Sequence, residues 1–106
     1  MSEEPILSLQ EAKDTVKGKP YPKVTEESIK EKISHTVYHN EGTTTIAIIF
    51  MKNGFRFVGT STPAHENNYD ANVGQRYAYE NAFKQIWTHE GYLLRQSLHE
   101  REVRGE

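Results

Sequence analysis

Apolar positions recur at two different periods along the chain, and the change of period organises it. From His35 to Ser61 the pattern is that of strands. His35–His39 predicts a short strand, Asn40-Glu41-Gly42 a turn, and the β-branched run Thr43–Lys52 a strong second strand. Asn53-Gly54 predicts a type I′ hairpin, because both residues tolerate positive φ, and Phe55–Ser61 returns as a third strand. Within the second strand Ile46, Ile48 and Phe50 point one way and Ala47, Ile49 and Met51 the other. Both faces are therefore apolar and both call for cover. Either another subunit covers one of them, or helices of the same chain cover both.

After the polar loop Pro63–Asn68 the period becomes helical and stays so to about Val103, with Asp70 as N-cap. Val73, Tyr79, Ala82, Phe83, Ile86, Trp87, Leu93, Leu94 and Leu98 share one broad arc that faces the core. Gly91 interrupts good helix formers and predicts a kink or two helices, and Glu90 projects into the apolar arc. Upstream, Ser8 and Glu11 form a capping-box pattern for a helix over 9–17 that stops at Gly18. Lys19-Pro20-Tyr21-Pro22 reads as an extended connector. Thr25 caps a further helix with Ile29 and Ile33 on one face.

The fold class expected is α+β: a three-stranded antiparallel meander packed with a long, kinked C-terminal helix and short N-terminal helices. Residues 1–23 form an N-terminal extension with a short helix, and residues 24–106 a single α+β domain.

Composition narrows the chemistry. The 106 residues are 35% hydrophobic and 26% charged, and six Tyr, four Phe and one Trp supply the material for a core. Cysteine is absent, which removes disulfides, thiolate nucleophiles and Cys-ligated metals, and fits a reducing compartment. The acidic start lacks the order of a secretory signal, and the longest apolar run, Ile46–Met51, is too short to span a bilayer. The expected location is the cytoplasm. A net charge of −2 with scattered Lys and Arg argues against a polymeric nucleic acid as partner.

No catalytic constellation emerges. His35 and His39 lie about 13 Å apart along a strand, and His65 and His89 have no partner at ligand spacing. Glu66, Asp70, Glu80 and Glu90 form no recognisable acid–base pair, and Arg76, Glu80 and Lys84 make an ordinary helical ladder. No nucleophile elbow or phosphate loop is present, so neither enzyme activity nor a cofactor or metal is expected. Opposite the core arc, Tyr77, Asn81, Thr88, Tyr92 and Arg95 share one flank. Rings for stacking, an amide and a guanidinium suit a nucleotide-like small molecule, although an ordinary exposed helix face or an interface carries the same residues.

The stretch Asn68-Tyr69-Asp70-Ala71-Asn72-Val73-Gly74, followed by Ala78, Glu80-Asn81-Ala82, Ile86-Trp87 and Gly91-Tyr92-Leu93-Leu94, resembles the small gp-forty-nine-like proteins of tailed bacteriophages. The resemblance covers Val24 to Leu98, and its pattern is similar to that of the first-described anti-Thoeris sponge proteins. It implies a phage counter-defence protein, acting in the host cytoplasm, that holds a cyclic ADP-ribose isomer or cyclic oligonucleotide without cleaving it and assembles as a dimer or higher homo-oligomer. Of the candidate ligand-binding residues only Asn68, Tyr69, Asn81 and Tyr92 lie within the matched motif, and the roles rest on side-chain chemistry: Asn68 and Tyr69 would meet a ribose and a base, and Arg76 and Arg95 a pyrophosphate. Asn81 would read an adenine edge, and Phe55 or Tyr92 would stack. Asp70 would repel a phosphate at the helix start. Gly74 reads as a close-packing position and Trp87 as core. The alternative is a small phage protein that binds a host protein and has no small-molecule site; a third reading is a minor nucleic-acid-associated phage protein.

Overall fold

The computed structural model describes residues 4–106; residues 1–3 of the expected extension lie outside them. The elements in order are α1 (Leu9–Lys17), α2 (Glu26–Lys30), β1 (Ile33–Glu41), β2 (Thr44–Met51), β3 (Arg56–Ser61), a 3-10 turn (Glu66–Asn68) and α3 (Ala71–Arg104). The strands form one antiparallel sheet in the order β1-β2-β3, with α3 laid across one face. The expected α+β meander with short N-terminal helices and a long C-terminal helix is what the chain forms.

The core lies between the inner sheet face and the first half of α3. Ile49, Met51 and Phe57 meet Ala82, Phe83 and Ile86, and Ile29 of α2 closes the end of this layer. Burying each large side chain here contributes roughly 1.5–3 kcal/mol. Small residues let the layers approach closely. Gly59 faces Ala47 across the sheet, and a Cβ on Gly59 would lie 2.2 Å from the Ala78 carbonyl oxygen and 2.3 Å from the Ala82 nitrogen. Two polar side chains of α3 then clamp the outer strand. Gln85 Nε2 donates to the Val58 carbonyl at 2.7 Å, and Asn81 Oδ1 accepts from the Thr60 N–H at 3.1 Å. They occupy backbone groups that would otherwise leave β3 open to pairing with another strand.

Several local expectations are corrected. Ile33 is not on the second helix, which ends at Lys30; it opens β1 and pairs with Met51. The first hairpin turns on Gly42-Thr43 between the paired Glu41 and Thr44, with Gly42 at φ 58°. The second is not type I′, because Asn53 keeps a negative φ and only Gly54 is left-handed, at φ 91°. Gly54 N–H donates to Met51 O, Met51 N–H to Phe55 O, and Phe55 N–H to the Asn53 side chain. That is a three-residue loop with its glycine in the left-handed position. Gly91 does not end the helix: α3 runs for 34 residues, and the space beside Gly91 is open, with nothing within 4 Å of where a Cβ would lie. Ladder continuity outweighs a propensity cost of about 1 kcal/mol.

The apolar arc of α3 outruns the sheet beneath it. Thirty-four residues extend about 51 Å, whereas the eight residues of β2 cover about 27 Å. Ala78, Ala82, Phe83 and Ile86 are buried, Leu94 and Leu98 are half-buried, and Val73 and Leu93 are exposed. Trp87 sits at the rim, edge-on to Phe83. Glu90, which continues the buried stripe, is matched by an ion pair with Lys32. Helices of the same chain do not cover both faces of β2. Thr45, Ala47, Ile49 and Met51 are buried under α3, while Ile46, Ile48 and Phe50 remain half-open on the far side. No residue of α1 is buried, although Ser8 caps it in a complete capping box.

Candidate functional site

A concavity that includes predicted site residues lies where β3 leaves the sheet and α3 begins. Ser61, Thr62, Asn68, Tyr69, Val73 and Tyr77 line a cavity of about 280 Å³, together with Asp70 and Gly74. Its shape follows from local sequence. Pro63 ends strand pairing, His65 Nδ1 accepts the Asn67 N–H to start the 3-10 turn, and Asp70 Oδ1 accepts the N–H groups of Asn72 and Val73 to start α3. Two chain reversals within ten residues leave a hollow between them.

One wall is held from below. Asn40 Nδ2 donates to the Tyr69 hydroxyl at 2.9 Å and to Thr45 Oγ1 at 3.1 Å. Thr45 is fully buried, and a Cβ on Gly74 would lie 2.5 Å from its hydroxyl oxygen. Gly74 is therefore a close-packing position, as expected. Tyr69 is fixed in place through the sheet, and the exposed Tyr77 on α3 also lines the cavity. Asp70 puts a negative charge at the helix N-terminus and occupies two of its free N–H groups, so a phosphate is disfavoured there. Neutral polar edges and a flat ring face suit a ribose and a base.

The seven residues predicted to bind ligand do not form one site in a single chain. Asn68 and Tyr69 line the cavity. Arg76 lies between the lining residues Gly74 and Tyr77 on α3 without lining the cavity itself, paired with Glu80 at 2.8 Å and lying over the Tyr79 ring. The Asn81 acceptor is engaged by Thr60, a structural clamp. Phe55 sits at the far end of the sheet, edge-on to Phe57 and tilted against His89. Tyr92 is 70% exposed and Arg95 pairs with Glu102, about 22 and 27 Å along α3 beyond Tyr77 at the edge of the cavity. Ser61, Thr62 and Val73 were invisible as site residues because their role depends on where the loop folds back. Tyr77 alone carried a signal, as a ring on the flank opposite the core.

Histidines are dispersed. His35 stacks on Phe50 with ring centroids 4.5 Å apart, and His89 packs edge-on to Phe57 with Nδ1 against the Gln85 carbonyl. Among the described residues no group of three or more His, Asp or Glu comes together to hold a metal ion. Nor, among them, is any helix long and apolar enough to cross a membrane. A second concavity, between the α2 region and α3, is lined by Val24, Leu93 and Leu94 beside the Lys32–Glu90 ion pair. It contains none of the predicted site residues.

Residues 24–98, most of the chain and the stretch that carries the resemblance, match the model of the phage protein (N4 Gp49/phage Sf6 gene 66) family. No curated protein and no solved structure gives a significant match.

Proposed function

We propose that the chain, which belongs to the phage protein (N4 Gp49/phage Sf6 gene 66) family, is a counter-defence binding protein that sequesters a cyclic nucleotide immune signal without cleaving it. The ligand class is a cyclic ADP-ribose isomer or a cyclic oligonucleotide, and the kinship to anti-Thoeris sponges is part of this reading. The observation that carries it is the cavity lined by Asn68, Tyr69 and Tyr77, with Tyr69 anchored through its hydroxyl to Asn40. At about 280 Å³ it suits one nucleoside unit, with the phosphates held outside, away from Asp70 and towards Arg76. Sequestration needs affinity and slow release rather than a base or a nucleophile.

Calorimetry of the purified protein against cyclic ADP-ribose isomers and cyclic di- and trinucleotides, followed by heat denaturation and recovery of the compound, tests this. Tight binding with intact ligand released, lost in Asn68→Ala and Tyr77→Ala, is the expected result. Binding that survives both substitutions would displace the site. No binding across the panel would remove the ligand reading and leave capture of a host protein as the function to test.

A further inference from the structure

The nine residues of α1 form an amphipathic helix whose apolar stripe is left open. At about 100° per residue, Leu9, Ala12 and Val16 fall within an arc of about 60°. No residue of α1 is buried, and Leu9 is 73% exposed. Ile6 and Leu7, on either side of the turn into the Ser8 cap, add two more exposed aliphatic side chains. A contiguous apolar stripe held in water marks a surface that meets something else.

Charge is sorted around that stripe. Lys13 and Lys17 follow it along one flank, whereas Asp14 and Glu11 lie about 130–170° from its centre. Both acids are also held on the helix, Glu11 accepting from the Ser8 N–H and Asp14 from the Gln10 amide. Neither Lys13 nor Lys17 enters an ion pair among the described residues, and nor does Lys19. The connector that follows sets Lys19 and Lys23 on either side of the exposed Tyr21, with Lys23 Nζ donating to the Lys19 carbonyl. Residues 9–23 thus hold four lysines against two acids, in a chain whose net charge is −2. Glu3 and Glu4 precede Pro5, so the surplus lies at the C-terminal end of α1 and in the connector.

We propose that α1 and its connector form a membrane-surface anchor, and that their partner is an anionic lipid bilayer. The order of groups around the helix is the order of layers at such a surface. Leu9, Ala12 and Val16 enter the acyl boundary, the flanking ammonium groups reach lipid phosphates, and Asp14 and Glu11 stay in water. Tyr21 supplies an amphipathic ring at headgroup level. Nine residues extend about 14 Å, so the helix lies in the surface plane and does not cross. The chain's own concavity between the α2 region and α3 is a poorer occupant of the stripe, because Lys23 and Lys32 line it and meet the lysine flank with like charge. A single short helix gives reversible attachment. The proposal is independent of the cavity, which uses no residue of α1, so failure of ligand binding leaves it intact.

Co-sedimentation of the whole chain with vesicles of mixed phosphatidylglycerol and phosphatidylcholine, compared with phosphatidylcholine alone, tests it. Wild type is expected to pellet with the mixed vesicles and to be released by raised salt. Lys13→Glu combined with Lys17→Glu is expected to weaken binding by about 30-fold or more, and Leu9→Asp by about 10-fold or more. Both variants should keep the wild-type melting temperature without lipid, since α1 buries no residue. Wild type left in the supernatant, or variants that bind as wild type does, would overturn the proposal. So would a melting temperature lowered by Leu9→Asp in the absence of lipid, which would assign the stripe to a groove of the protein itself.

Discussion

Lys32 Nζ lies 2.5 Å from Glu90 Oε1, joining the residue before β1 to the middle of α3 across 58 positions of chain. The Glu90 side chain is 12% exposed and that of Lys32 54%, so the carboxylate is the member that depends on its partner. Lys32→Ala is expected to destabilise by about 1–2 kcal/mol, because it leaves a largely desolvated carboxylate alone. The double variant Lys32→Met, Glu90→Leu should recover most of that loss. Urea unfolding of the single and double variants gives the coupling directly.

Of the glycines, Gly59 lies closest to its neighbours. A methyl group there meets backbone atoms of Ala78 and Ala82, which have no rotamer to yield. Gly59→Ala is expected to cost about 3 kcal/mol or more and to lower the melting temperature by at least about 10 °C, readable by calorimetric melting.

Tyr69→Phe removes the hydroxyl that accepts from Asn40 while keeping the ring. Because Asn40 retains Thr45 as an acceptor, stability should fall by only about 1 kcal/mol. Ligand affinity should fall more steeply if the anchored hydroxyl organises the cavity. Parallel melting and calorimetry of the same variant separate the two effects.

Burial pushes the Tyr79 phenol above its ordinary value, only partly opposed by the Lys30 charge. An acid whose folded value is raised favours the fold while it is protonated. The contribution is complete below about pH 10 and is lost as pH rises through the higher folded value. Tyr79→Phe should flatten the alkaline limb of the stability profile and leave neutral pH little changed.

At the other end of the scale, hydrogen bonds from the Ser8 backbone and side chain hold the Glu11 carboxyl below its usual value. Its support for α1 is present above the ordinary carboxylate range and is lost as pH falls through the lowered value. Since α1 buries no residue, acid or Ser8→Ala should fray this helix without moving the main unfolding transition. Amide exchange resolved by residue distinguishes the two.

Much of the fold could be read from local pattern because each signal was short-range. Ser8, Thr25 and Asp70 cap the three helices, and the alternation in β2 separates the buried Ala47, Ile49 and Met51 from the open Ile46, Ile48 and Phe50. Failures came where distant parts of the chain decide. Ile33 has helical spacing from Ile29 but is claimed by its pairing with Met51. Asn53 keeps a negative φ because a three-residue loop satisfies the Met51–Phe55 pairing. The candidate site was legible only at Asn68, Tyr69 and Tyr77. Asn81 has the chemistry of a base reader, yet its acceptor is taken by an edge strand 21 positions away.

The long α3 has a practical consequence for anyone weighing this molecule. A compact chain of this length has a radius of gyration near 13 Å, whereas here it is 17.4 Å with extents of 57 × 42 × 22 Å. A single copy therefore drags through solvent like a larger sphere and leaves a gel-filtration column ahead of its mass. Elution volume alone would count one molecule as more than one, and only scattering or sedimentation equilibrium weighs it independently of shape.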